Sequence, residues 1–452
     1  MTDPMTEQVV ATIGGQARGP ARNRALRKAL RPFRSPGYRR LAVALALNMF
    51  ASGVWLIALV WEVIGLGGGP AQLSLVTTAS AIGVILPAIF AGVVADRVPQ
   101  KSILLVVGVV ELVGMALIAV LSLTGQTQVW HLAAVSFAAG AGLAFYWPAY
   151  TAWIPALVPE TDLQAVNGFE GMIRPTVQQA LGPAAAGLIV GAASPAAAFA
   201  VAAGASVLGL VALTAVPKTP VRRTLDEAHD THPVRTALSD VREGFAYMWR
   251  TPWLLSSLIF GSIMVLVIMG PFDVLIPFLM KDRLGVGPEA HAMVLAGFGV
   301  GGAVGSIVMG AVRMPRRYLT LMNLAWGVAC LPMIWMGFAT HVWEVIVAAA
   351  ICGALFAAPM VVWGTLLQRR VPAALVGRVA SLDFFVSLSL MPVSMALAGP
   401  VSEAIGLRTT FFIAGVVPVV VAVVAIVWAR LPEDEIAHPL LDEPDEVPAA
   451  AA

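Results

Sequence analysis

Charge is what this sequence has least of. Only 12% of its 452 residues are Asp, Glu, Lys or Arg, about half the share usual in soluble domains, whereas 59% are apolar. A water-facing surface cannot be covered from that inventory, so lipid is the solvent for most of the chain. Cysteine is scarce as well. Cys330 and Cys352 both fall inside apolar stretches and read as small packing residues, with no disulfide and no His/Cys cluster for a metal. The six His (His131, His229, His232, His291, His341 and His438) lie in loops or near the ends of apolar stretches. No nucleophile–base pair is visible inside those stretches, so an enzyme is not expected. The phosphate-cradling pattern G-x-x-x-x-G-K-S/T is also missing, which argues against direct coupling to ATP. A net charge of +2, with its bases spread along the chain, gives no reason to expect a nucleic-acid partner.

What the chain does have is long apolar runs, at 41–64, 73–95, 103–123, 129–157, 168–190, 196–216, 253–280, 293–312, 319–338, 342–367, 379–401 and 410–429. About 20 residues of helix cross a bilayer core. These runs are continuous rather than alternating, which predicts helices and not a barrel. The expectation is an all-α membrane protein with twelve transmembrane helices. With the chain start inside, 24 of the 28 Lys and Arg fall on the cytoplasmic side, leaving Lys281, Arg283 and Arg408 outside and Arg174 within a run. That asymmetry predicts a multi-pass protein of the cell membrane with both termini cytoplasmic. About forty mostly polar residues precede the first run, so a cleavable signal peptide is not expected.

Five regions follow. Residues 1–40 form a basic arm, in which Leu26, Leu30 and Phe33 stand at helical spacing; it reads equally as a short interfacial helix or as a disordered leader. Residues 41–216 carry six runs and 253–430 the other six. Between them, 217–252 is a cytoplasmic loop whose stretch Arg235 to Trp249 places Leu238, Val241, Phe245 and Met248 on one helical stripe. The tail, 431–452, carries Glu433, Asp434, Glu435, Asp442, Glu443, Asp445 and Glu446 and is expected to be solvated and disordered. The two sets of six echo each other. Gly92 recurs as Gly310 after 218 residues, Pro159 as Pro372 after 213, and Gly182-Pro183 as Gly399-Pro400 after 217. A near-constant offset predicts two pseudo-symmetric six-helix bundles related as a parallel repeat.

The turn after the second run reads Gly92-Val93-Val94-Ala95-Asp96-Arg97-Val98-Pro99-Gln100-Lys101. Glycine admits a close neighbour, and an aspartate there can accept from a base or a helix N-terminus. The stretch resembles the helix 2–3 loop motif of the major facilitator superfamily, G-x-x-x-D-R-x-x-R/K-R/K, with Pro99-Gln100 in place of the usual Gly-basic step. Its counterpart after Gly310, Arg313-Met314-Pro315-Arg316-Arg317, lacks the acid. Trp147-Pro148-Ala149-Tyr150, Ile154-Pro155-Ala156-Leu157-Val158-Pro159 and Leu163-Gln164-Ala165-Val166-Asn167 are similar to the helix 4–5 region of the enterobactin-exporter and macrolide-efflux branch. Gln368-Arg369-Arg370-Val371-Pro372 with Gly377-Arg378-Val379 resembles its helix 10–11 counterpart. The resemblance spans roughly residues 35–430. It implies the major facilitator fold, a monomer, no cofactor beyond a proton gradient, and export of bulky, partly apolar small molecules by alternating access. It also implies a conformational latch at Gly92, Asp96, Arg97 and Lys101. Gly182, Pro183 and Gly187 resemble a shortened antiporter motif, with Gly399 and Pro400 as the repeat; ordinary kinked packing is the plainer account.

Acids inside apolar runs are the sharper clue, because each costs about 2.5–3.5 kcal/mol on insertion scales unless it meets a cavity or partner. Asp273, flanked by Pro271 and Pro277, and Glu62, 211 residues earlier, are candidates for a proton or a polar substrate group, or else solvated groups of an outer vestibule. Glu111 must be neutral, hydrated or paired across helices. Glu170 and Arg174 are four apart and expected to pair, as a structural pair or as a gate or substrate contact. Asp383 is expected to begin a span, at a helix N-terminus, and Glu344, beside His341 and Trp343, to be interfacial. Trp61, Trp130, Trp249, Trp253, Trp343 and Trp428 fit an interfacial belt; Trp147, Trp153, Trp335 and Trp363 lie deeper and could wall an apolar pocket. The reading is a proton-coupled exporter of hydrophobic compounds or a siderophore. Two alternatives remain open at this point: an importer of polar metabolites on the same fold, and a non-transporting membrane sensor.

Overall fold

The computed structural model describes residues 31–218, 233–311, 315–372 and 375–440. Among them every regular element is helical. The first six long helices are α1 (Pro36–Gly65), α2 (Pro70–Arg97), α3 (Gln100–Leu123), α4 (Val129–Leu157), α5 and α6 (Pro195–Thr214). The fifth is composite: Leu163–Ile173, a π-helical stretch Arg174–Leu181, and Gly182–Ala192. A loop helix, α7 (Pro233–Arg250), leads to α8, which runs Pro252–Gly270 and continues to Arg283 through π-helical turns at Pro271–Leu275 and Leu279–Arg283. Then come α9 (Pro288–Ala311), α10 (Tyr318–Val328 and Pro332–Phe338), α11 (Val342–Arg370), α12 (Val376–Leu388 and Met391–Ile405), α13 (Leu407–Trp428) and a short α14 (Leu431–Ala437).

Among the described residues, eleven helices are long and apolar enough to cross a membrane. The twelfth expected span, α5, is helical throughout but is interrupted by the polar stretch containing Arg174, Gln178 and Gln179. Starts are set by local chemistry. Proline stands in the first turn of α1, α2, α6 and α8, where its missing N–H leaves no bond unmade. Ser35 and Ser194 accept from the amides of Tyr38 and Ala197, the usual N-cap contact.

The surface is inverted relative to a soluble protein. Val106, Val113 and Val120 of α3 and Val420, Val424 and Val427 of α13 are exposed, while Ser136, Ser206, Ser256, Ser257 and Asn323 are buried. Lipid gives apolar side chains no reason to hide, so close packing of small residues holds the helices together. The crossing of α2 and α4 shows it: a Cβ on Gly83 would stand 2.2 Å from the Phe137 carbonyl oxygen, and one on Gly140 2.2 Å from that of Ser80. In the second half α9 and α11 cross the same way, with Gly301 against the Ala350 carbonyl and Gly353 against that of Phe298. Gly83 and Gly301 are 218 positions apart, as are Gly67 and Gly285, both at φ near +70° in the first turn of their halves. The repeat in the sequence is therefore a repeat in the packing.

Three expectations are corrected at the ends of the bundles. Residues 431–440 are not a disordered tail: α14 buries Glu435, which accepts from the Leu319 and Thr320 amides at 2.9 and 3.1 Å and from the Thr320 hydroxyl at 2.8 Å. It caps the start of α10, while Asp434 pairs with Arg370 at 2.5 Å. A buried helix N-terminus needs acceptors, and this tail supplies them. Trp253 is buried beneath the Arg370 guanidinium, 4.7 Å from its ring centre, rather than in an interfacial belt. Trp335 is no deep pocket wall; it is partly exposed and meets Trp343 edge-on. In the N-terminal arm, Arg31 pairs with Asp162 and Phe33 packs on Tyr38 and Phe169; Leu26 and Leu30 lie outside the described residues, as do residues 441–452. Along α7, Met248 is buried whereas Phe245 is exposed; the side chains of Leu238 and Val241 are outside the described set.

Candidate functional site: the boundary between the halves and the polar groups behind it

Among the described residues the halves meet chiefly through two helix pairs, α2 with α12 and α5 with α9. The Gly399 amide donates to the Ser74 hydroxyl at 2.8 Å, and a Cβ on Gly399 would come within 2.6 Å of Ala71 Cα. On the other flank a Cβ on Gly187 would stand 2.8 Å from that of Ala292, and one on Gly299 3.1 Å from that of Gln179. Position in the helices decides what this means. Ser74 opens α2 and Gly399 lies near the end of α12; Gly187 lies near the end of α5 and Ala292 near the start of α9. All four sit toward the face opposite the one where Arg31 and α14 are anchored. The halves are thus clamped together at that opposite face.

Gly182 does something different from Gly399. It packs inside its own half, against Gly53 of α1, and directly follows the π-helical stretch. The bend expected from Gly182-Pro183 is realised as that wider-wound segment, which re-aims the side chains before it.

Asp273 sits in the π-helical turn Pro271–Leu275, half-buried and without a hydrogen bond or ion pair to a described residue. That turn packs against α12 and α2, which places the acid behind the clamp. Glu62 is buried in the last turn of α1 and accepts from the Ser122 hydroxyl of α3 at 2.8 Å. Glu111 is paired across helices: the Asn48 amide of α1 donates to it at 2.5 Å. The pair faces a small cavity lined by Leu41, Leu104, Tyr146, Ser206 and Leu213. Asn48, an amide in an apolar run, was the available signal for that partner.

Glu170 and Arg174 do not pair. The guanidinium stacks on Trp147, 5.7 Å from the ring centre, and Glu170 turns to Tyr150, with electrostatic contact to Tyr38 and Tyr146. The Tyr38 hydroxyl is buried without a hydrogen-bond partner among the described residues. Spacing alone gave no hint of these tyrosines, which come from α1 and α4. Asp383 is not at a helix start; it lies mid-way along Val376–Leu388, accepting from Trp363 Nε1 at 2.8 Å and from the Ser387 hydroxyl at 3.1 Å. Trp363 is thereby tied into the second half's core beside Trp253 and Trp326. Glu344 accepts from Thr340 and His341 at the start of α11.

For the latch, the backbones of Gly92, Asp96 and Arg97 end α2, but their side chains lie outside the described residues. Lys101 does not reach the other half. Its ammonium donates to the carbonyls of Thr214 and Val216 at 2.7 and 2.5 Å, and Arg40 donates to Ala215. Together they neutralise the negative end of α6.

Residues 27–447 match the family model described as transmembrane secretion effector. The chain belongs to that family, within the major facilitator superfamily. It is 24% identical over 400 residues to the multidrug efflux pump Tap of Mycolicibacterium fortuitum, covering 85% of this chain and 94% of that one. Macrolide efflux protein A of Streptococcus pyogenes is 23% identical, over 84% and 92%. Among solved structures, the nucleoside transporter NupG superposes with a TM-score of 0.64 at 12% identity, covering 86% of this chain and 98% of the other. A bacterial homologue of the human lysosomal transporter Spinster, in an inward-facing and unoccupied conformation, gives 0.63 at 15%, over 89% and 98%. At these identities the structures establish the fold. This transmembrane secretion effector family member is accordingly a multi-pass membrane transporter and not an enzyme.

Proposed function

We propose that this transporter exports hydrophobic small molecules, of the drug, macrolide or siderophore kind, across the cell membrane in exchange for protons, with both chain ends in the cytoplasm. What carries the direction and cargo is the match to two efflux pumps along nearly their whole length. The distribution of Lys and Arg sets the orientation, and by it the clamped face is the outer one. That arrangement is one of the two end states alternating access requires. The apolar runs carry few polar residues, which favours apolar cargo over a sugar or nucleoside. Asp273, beside the outer clamp in an irregular turn, and Glu111, in the first bundle, are the acids through which protons would pass.

The test is a susceptibility panel in an efflux-deficient host, followed by flux of each hit in proteoliposomes with and without an imposed proton gradient. Resistance to apolar compounds and gradient-dependent export are expected. Resistance unchanged across the panel, or flux indifferent to the gradient, would overturn the reading.

A further inference from the structure

The guanidinium of Arg174 is an oddity of placement. It lies on α5, at the start of the π-helical stretch that packs on α9 of the other half. It is exposed, yet it makes no hydrogen bond or ion pair to a described residue; its one described partner is the face of Trp147. A cation at membrane depth is ordinarily paired or turned to an aqueous path. Its natural partner, Glu170, is one helical turn away and is not used.

The reason lies on α4. Trp147 and Tyr150 stand three residues apart on that helix, edge to face at 5.9 Å. They divide the two charged residues of the antiparallel α5 between them: Trp147 takes Arg174, and Tyr150 takes Glu170. Tyr38 of α1 and Tyr146 of α4 are buried within reach of the same carboxylate's charge. The acid is half-buried against buried tyrosines and the base is left open on an aromatic shelf. The indole sits under the guanidinium, no described residue takes its N–H fork, and that fork matches a carboxylate, sulfonate or similar planar anion bidentately.

We propose that Arg174, seated on Trp147, is the docking point for an anionic group of the cargo, and that Glu170 competes for it from beside the tyrosines. The proposal rests on the transport reading above and narrows its cargo to amphipathic organic anions: an apolar body for the aromatic wall, an oxyanion for the fork. Glu170 swinging from the tyrosines onto Arg174 displaces the anion, because the two residues are spaced to meet.

The experiment is binding rather than transport, so that its failure is distinguishable from failure of the export reading. Fluorescein, a planar organic anion, and ethidium, a planar cation, are titrated by fluorescence polarisation against the purified full chain in detergent. Saturable fluorescein binding is expected, weakened at least tenfold by Arg174→Gln, less by Arg174→Lys, and strengthened severalfold by Glu170→Gln. Ethidium binding is expected to survive Arg174→Gln, which separates loss of a charge from loss of the fold. Absence of saturable fluorescein binding, equal affinity in Arg174→Gln, loss of both dyes in that variant, or weaker fluorescein binding in Glu170→Gln would each overturn the proposal.

Discussion

The backbone amide of Gly399 donates to the hydroxyl of Ser74 across the boundary between two six-helix bundles, at 2.8 Å. A hydrogen bond from a helix backbone to a side chain of another bundle is available only where no side chain keeps the helices apart, and Gly399 has none. The contact is thus both a bond and a measure of how closely α2 and α12 approach at the clamped face.

Replacing Gly399 by Leu should wedge that face open. A Cβ already collides with Ala71, and the rest of the side chain cannot be housed without separating the bundles. Maleimide labelling of Ala71→Cys is expected to rise several-fold in the Gly399→Leu background, with transport lost. Labelling equal to that of the parent would show that the face does not depend on this contact. Ser74→Ala removes one hydrogen bond, about 0.5–1.5 kcal/mol, and should shift labelling far less.

Glu435 should behave as a structural residue despite its place in an acidic tail. Glu435→Ala strips the acceptor from two amides and a hydroxyl at the start of α10, a loss of about 1–2 kcal/mol by analogy with N-caps. The apparent melting temperature in detergent is expected to fall by several degrees, whereas Glu433→Ala, on the exposed face of α14, leaves it unchanged. An unaltered melting curve for Glu435→Ala would remove the capping role.

Lys101 and Asp96 belong to the same loop motif, and their variants should separate. Lys101→Met removes the cation at the C-terminus of α6, worth about 0.3–1 kcal/mol, and is expected to lower stability modestly while flux per folded molecule persists. Asp96→Asn is expected to cut transport with expression intact. Parental flux from Asp96→Asn in proteoliposomes would retire the latch.

The intramembrane acids should also divide. Glu62 is satisfied by Ser122, so Glu62→Gln keeps a hydrogen bond and should retain the parent's response to a proton gradient. Asp273→Asn and Glu111→Gln are expected to flatten that response. Asn48→Leu deprives Glu111 of its partner and should destabilise by about 1–3 kcal/mol, readable as a lower melting temperature. If Asp273→Asn and Glu111→Gln both respond to the gradient as the parent does, neither acid carries the proton.

Much of this protein was written in its sequence. Apolar run length, the placement of Lys and Arg, and the offset of Gly and Pro between halves each act through local or one-dimensional physics: the thickness of hydrocarbon, the sidedness of insertion, the duplication of a segment. They determined the helices, the orientation expected for them and the two-fold plan, and α5 escaped the simplest length-and-apolarity test only because polar residues interrupt it. What spacing could not determine is which group each buried polar atom meets. Glu170 and Arg174 stand at pairing distance along one helix, but α4 brings Tyr150 and Trp147 between them; Lys101 turns back to α6; Asp383 finds Trp363; and the acidic tail folds onto α10 at Glu435. Inside a bilayer an unpaired polar group takes whatever partner the neighbouring helix presents, so only the tertiary arrangement of the helices decided those pairings.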